Sequence, residues 1–149
     1  MKKICIALLS FCAMIVFVNN GVAQTQNPAS SESYFIMENY YKIKWGYADE
    51  FITLWKKNHY PLLKKTMETG DIISVKAEKP TLHSGEDTRW DFKVTIAWKN
   101  AELGVGKEDP TLRYKSKLFP DTAKLDKDEQ YRFSLLIAHW DVIVESIKL

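Results

Sequence analysis

Three histidines, His59, His83 and His139, are the side chains in this sequence whose charge changes near neutral pH. His59 falls within an apolar series, Phe51, Ile52, Trp55, His59, Leu62, Leu63, Thr66 and Met67, whose spacings of three and four put all of them on one helix face. An imidazole on a buried stripe is held neutral by desolvation, the state a general base or a ligand contact requires. The bland alternative is a core histidine bonded to a backbone carbonyl that Pro61 leaves free. His139-Trp140-Asp141 places an imidazole near a carboxylate, the pairing used in catalytic dyads. Because adjacent residues diverge, Asp141 also reads as a cap or turn residue. His83 stands near Glu86, Asp87 and Asp91, but that spacing matches no metal-ligand signature, and an acidic hairpin loop explains it without metal. Arg89 and Asp91 flank Trp90 and read as a structural ion pair. Trp45, Trp55, Trp90, Trp98 and Trp140 could wall a flat organic ligand, or fill a core.

The elements that must position these groups follow from periodicity. Residues 34–43 are dense in aromatic and β-branched side chains and read as a strand. Residues 46–70 read as the amphipathic helix carrying His59. Pro61 predicts a kink or restart near Asn58-His59-Tyr60, and Gly70 a C-terminal stop. Residues 71–82 alternate, with Ile73, Val75 and Ala77 facing one way. Residues 89–99 alternate again, with Trp90, Phe92, Val94, Ile96 and Trp98 on the apolar side. The Gly-containing loop between them predicts an antiparallel hairpin. Residues 100–121 carry two glycines and two prolines and predict an irregular excursion with one short helical turn, a lid or a disordered loop. Asp121 or Thr122 caps a second helix through about Ala138, burying Leu125, Phe133, Leu136 and Ile137; residues 142–149 close the domain as a strand.

The N-terminus adds a compartment. Lys2 and Lys3, an apolar run, and Gly21-Val22-Ala23 as a small-x-small site predict a signal peptide over 1–23, with Gln24 first in the exported form. A retained anchor fits less well, because the apolar run is shorter than the roughly 20 residues a spanning helix needs. A lipoprotein site at Cys12 is disfavoured by bulky Phe11. Residues 24–33 read as a flexible leader. Both cysteines lie in 1–23, so the exported form has no thiol, disulfide or cysteine metal site. Without Lys2 and Lys3 the 21 basic residues become 19, equal to the 19 acidic ones. That balance argues against a nucleic-acid partner, and signal cleavage leaves no membrane segment.

The βαββαβ order of residues 34–149 predicts an α+β, ferredoxin-like plait: a four-stranded antiparallel sheet with both helices on one face. The other face mixes lysine, serine and threonine with aromatics, which predicts a homodimer formed by pairing two open sheet faces. The segments Tyr40-Tyr41-Lys42-Ile43-Lys44-Trp45-Gly46, Trp55, His59-Tyr60-Pro61 and Gly70-Asp71-Ile72 carry a family likeness. So do Gly85-Glu86-Asp87-Thr88-Arg89-Trp90-Asp91-Phe92 and Ala138-His139-Trp140-Asp141. Together they make the chain resemble the dimeric α+β barrel superfamily, in particular its NIPSNAP-like and uncharacterised exported members.

The resemblance implies a site between helices and sheet, and activities that range from monooxygenase, haem degradation and isomerisation to none known. Haem-degrading members use an asparagine, a tryptophan and a histidine together, and Asn39, Trp98 and His139 are loose analogues. The expectation is therefore a small, partly aromatic ligand with His59 and His139 as catalytic or anchoring groups. Trp55, Tyr60, Trp90 and Trp98 serve as walls, with Asn39 and Asp141 as polar contacts. A cofactor-independent oxygenase or isomerase step by a histidine base is one outcome; a non-enzymatic homodimeric interaction protein is the other. No metal is expected and the residues assign no cofactor. Gly-x-Ser-x-Gly, His-Glu-x-x-His and phosphate-binding glycine loops are absent from the sequence, which weakens hydrolase, zinc-peptidase and nucleotide-dependent readings.

Overall fold

The structure, a computed structural model, describes residues 34–82 and 84–147. The expected signal peptide and leader, His83 and residues 148–149 lie outside the described residues. Strand β1 (Phe35–Ile43) leads into α1 (Ala48–Leu54), a π-helical turn (Trp55–His59) and α2 (Tyr60–Glu68). Strands β2 (Ile72–Glu78) and β3 (Phe92–Trp98) follow, then α3 (Ala101–Val105), a 3-10 turn (Pro110–Tyr114), α4 (Lys115–Leu118), α5 (Thr122–Ser134) and β4 (Leu136–Val144). The sheet order is β2-β3-β1-β4 with every pairing antiparallel. Helix α5 packs on α1 and the π-helical turn, so both main helices cover one sheet face. This is the ferredoxin-like plait.

The helical stripe meets the sheet as its spacing requires. Phe51, Ile52, Trp55, Leu62, Leu63 and Thr66 are buried. Phe51, Trp55 and Leu63 share one cluster with Tyr41 and Ile43 of β1 and with Phe92, Val94, Ile96 and Trp98 of β3. Each such side chain contributes roughly 1.5–3 kcal/mol by leaving water, which makes this contact the main source of stability. Pro61 acts where expected. It has no N–H and its ring crowds the carbonyl four residues back, so the chain widens into a π turn closed by a bond from the Tyr60 N–H to the Trp55 carbonyl. Gly70 ends α2 at φ +79°, a left-handed conformation that favours glycine, with its N–H on the Met67 carbonyl at 3.0 Å.

Five expectations need correction. A bulge between Ile72 and Ser74 turns Ile72 into the core and leaves Ile73 exposed, because the extra residue resets the alternation. Trp90 precedes regular pairing and lies on the open sheet face, with its ring edge-on to Tyr40 at 5.9 Å, rather than beside Phe92. Residues 100–121 hold two short α-helices and a 3-10 turn, two more elements than the single turn expected, and the first two along the chain carry their own start signals. Asn100 caps α3, and Asp109 caps the 3-10 turn with Pro110 in its first position.

Helix α5 starts at the expected cap, where the Asp121 side chain accepts the Lys124 N–H at 2.9 Å, but it ends at Ser134. Strand β4 begins six residues earlier than expected, since pairing with β1 from Leu136 onward outweighs continuation of the helix. In consequence Phe133 and Ile137 are exposed, while Leu125, Arg132 and Leu135 are the buried residues of that region.

Candidate functional site

A cavity of about 300 Å³ opens between the helices and the sheet. Its floor is Met37 and Asn39 of β1 with Ile96 and Trp98 of β3. Antiparallel register places these groups together, because Asn39 is opposite Val94 and Met37 is opposite Ile96. His59 from the π turn and Leu63 from α2 form one wall, and α3 with the 3-10 turn forms the other through Leu103, Asp109 and Thr111. The volume lies at the lower end of the range for small-molecule pockets, and the lining is mixed, with Asn39, His59, Lys107, Glu108, Asp109 and Thr111 beside the apolar side chains.

Those polar groups are specific. The Trp98 indole N–H is buried and has no hydrogen-bond partner, an arrangement that costs free energy unless something else satisfies it. The Asn39 amide nitrogen donates to the Val94 carbonyl at 3.0 Å, and its carbonyl oxygen accepts no bond among the described residues. Burial holds the His59 imidazole below its usual pKa, and the Arg132 guanidinium pushes it the same way. His59 is therefore neutral at pH 7, with one nitrogen able to accept. Asp109 is already committed, because one of its carboxylate oxygens accepts both the Thr111 N–H at 2.8 Å and the Thr111 hydroxyl at 2.7 Å.

The structure brings His59, Asn39 and Trp98 to one cavity and distributes the other expected residues elsewhere. Trp55 is buried beneath His59, with ring centroids 5.8 Å apart, and supports the imidazole. Tyr60 is exposed and stacks on the outer side of Trp55 at 5.8 Å. Trp90 belongs to the open sheet face. His139 and Asp141 are not at a helix end: both lie on β4, two residues apart, so both point to the helix side of the sheet with Nε2 and Oδ1 3.4 Å apart.

His139 stacks on Tyr41 at 4.5 Å, outside the residues that line the cavity. Burial lowers its pKa more than Asp141 raises it, so the pair does not make a strong base. Burial also pushes the Tyr41 phenol up to about 12. Arg89 and Asp91 form a structural pair at 2.6 Å. Arg89 donates to the Ile43 carbonyl at 3.1 Å while Asp91 accepts the Ile43 N–H at 2.7 Å, clipping β1 to the start of β3.

Sequence reasoning missed Asp109, Thr111 and Gly104 as cavity residues. The signal was available in Asp109-Pro110-Thr111, a capping residue followed by proline at the first helical position. Among the described residues no three His, Cys, Asp or Glu side chains come together as metal ligands, and no helix is long and apolar enough to cross a membrane.

No family model matches the chain, and no curated protein matches it. Solved structures similar to it include a dimeric ferredoxin-like protein from an uncultured marine organism, 7% identical over 79% of this chain and 93% of that one, with a TM-score of 0.49. A NIPSNAP family protein from Agrobacterium tumefaciens is 16% identical over 78% of this chain and 88% of its own, with a TM-score of 0.46. An antibiotic biosynthesis monooxygenase is 10% identical over 76% and 99%, with a TM-score of 0.42.

Proposed function

We propose that the protein binds a small, partly aromatic ligand in the cavity between helices and sheet. The observation that carries this reading is the unpartnered indole N–H of buried Trp98, a residue that lines the same cavity as His59 and the Asn39 side chain. A ligand oxygen would satisfy Trp98, a ligand O–H or N–H would meet His59 or Asn39, and a flat body would lie on Met37, Leu63 and Ile96. The one chemical step this residue set can add is removal of a proton by His59, which suffices for an isomerisation or for the first step of a cofactor-independent oxygenation.

The test is a thermal-shift screen against haem, flavins, quinones and phenols. A bound ligand raises the melting temperature by mass action, by about 2.7 kcal/mol of stabilisation at a hundred times its Kd. Trp98→Phe keeps an aromatic wall but removes the N–H together with part of the ring, so it is expected to weaken binding by at least roughly tenfold, the equivalent of one hydrogen bond. His59→Ala is expected to weaken it further. Equal shifts in wild type and both variants would remove these residues from the site.

The open sheet face supports the assembly part of the reading. Tyr40 is stacked on Trp140 with rings 5.4 Å apart and 2° from parallel, and Trp90 meets it edge-on. Beside this aromatic strip runs a charge belt, with Glu38 to Lys93 at 3.0 Å, Lys93 to Glu78 at 3.2 Å and Lys76 to Glu78 at 2.8 Å. A second copy would cover the aromatic strip with the same strip and need not desolvate an unpaired charge.

A further inference from the structure

The π turn serves two cavities. His59 lines the one between helices and sheet, while its neighbour Asn58 lines a second, of about 190 Å³, on the other side of the turn. Asn58 is 2% exposed, and its side-chain Nδ2 has no hydrogen-bond partner. A buried asparagine amide in mid-helix with nothing to bond is uncommon, because such groups nearly always find protein or water. The walls around it are apolar: Leu118, Phe119 and Pro120 from the end of α4 and the connection to α5, and Leu125 from α5.

Two lysines stand at the rim, and both are already paired. Lys57 and Lys124 both pair with Asp128, at 2.9 and 3.1 Å, and Asp121 is engaged in capping α5. The charges lining the cavity cancel: two ammonium groups, Lys57 and Lys124, against two carboxylates, Asp121 and Asp128.

We infer that this groove is a second ligand site, distinct from the helix–sheet cavity, that takes a small neutral carbonyl compound, an amide, lactam or ester with a compact apolar body. The carbonyl oxygen accepts the Asn58 N–H, and the body lies on Leu118, Phe119 and Leu125. A carboxylate is disfavoured because Asp121 and Asp128 offset Lys57 and Lys124, which leaves no net positive charge to hold it. A hydrocarbon is disfavoured because it would leave the asparagine unsatisfied.

The test is a resonance-by-resonance NMR titration of the chain with benzamide, benzoate and toluene. Benzamide should shift the Asn58 side-chain NH₂ signals and the backbone amides of residues 118–125 saturably, and bind at least tenfold more tightly than toluene or benzoate. Shifts at Met37, Ile96 and Trp98, where a small aromatic carbonyl compound also fits, should saturate with a separate Kd, and His59→Ala should leave the shifts of Asn58 and residues 118–125 unchanged, which keeps this site separate from the helix–sheet cavity. In Asn58→Leu, close to isosteric, the tenfold preference for benzamide over toluene should vanish. Asn58→Ala provides the same comparison should the leucine variant not fold. Linear, unsaturated shifts scattered over the surface would overturn the assignment. So would benzoate binding as tightly as benzamide, or a preference that survives loss of the Asn58 amide.

Discussion

His59 shows how a single position couples stability to pH. Its imidazole is kept neutral by burial and by the nearby Arg132 charge, and His139 is shifted in the same direction, chiefly by burial. A folded pKa below the unfolded value of about 6.5 means that the unfolded chain binds more protons as the pH falls through that value. The two histidines therefore contribute their full stabilisation above about pH 6.5, and it is lost as the pH drops from there through the lower folded values. The melting temperature is expected to be level between pH 7 and 8 and to decline between 6.5 and 5, with His59→Asn showing a shallower decline. The paired carboxylates Glu38, Glu78 and Glu86 are held below the usual range, so their loss belongs to more acid conditions and does not blur the window. A melting temperature that stays level to pH 5 would contradict the burial assigned to His59. The position of His59 was legible from spacing alone, as was that of Trp98 on the core side of its strand. The partners of His59 across the cavity were not, because Asp109 and Thr111 reach it through a loop whose path no periodicity encodes.

Elements with strong internal period were legible, and those decided by pairing were not. The stripe from Phe51 to Met67, the break at Pro61 and the stop at Gly70 all follow from local chemistry. The start of β4 depends on β1 alongside it, and no local signal separates residues 135–138 from a helix end. The same held for Trp90, whose alternation with Phe92 fails because pairing begins only at Phe92. Helix α3 shows what local reading can still yield once packing is known. A Cβ added at Gly104 would stand 2.5 Å from Phe35 Cδ1 and 3.0 Å from Trp98 Cδ1, so this helix rests on the sheet through a bare backbone. Gly104→Val is expected to destabilise by about 1–3 kcal/mol, the usual cost of overpacking, read as a lower denaturant midpoint with an altered Trp98 fluorescence. An unchanged midpoint would mean that α3 does not dock there.

At the scale of the whole molecule, the helices cover one sheet face and leave the other to Tyr40, Trp90, Trp140 and the Glu38–Lys93–Glu78 belt. If a second copy covers that face and export removes residues 1–23, protein recovered from the cell envelope or medium should show two properties together. Its intact mass should correspond to a chain that begins at Gln24, and its native mass to two such chains. Trp140→Glu should give a single chain, since a carboxylate opposite its own symmetry mate would be buried unpaired. A single chain in the wild type would overturn the face-to-face arrangement, and an N-terminus at Met1 would overturn export.

The sheet's two rims are unequal. Along β2 the outer rim carries a bulge at Ile73, Lys76 and, just past its end, Lys79-Pro80, features that discourage another strand from adding on. Strand β4, at the opposite rim, has nine residues, no lysine or proline, and Asp141 as its lone charge. Strand addition by a foreign chain is thereby steered to one side of the molecule, and neutralising a single carboxylate in acid strips that side of its remaining electrostatic guard.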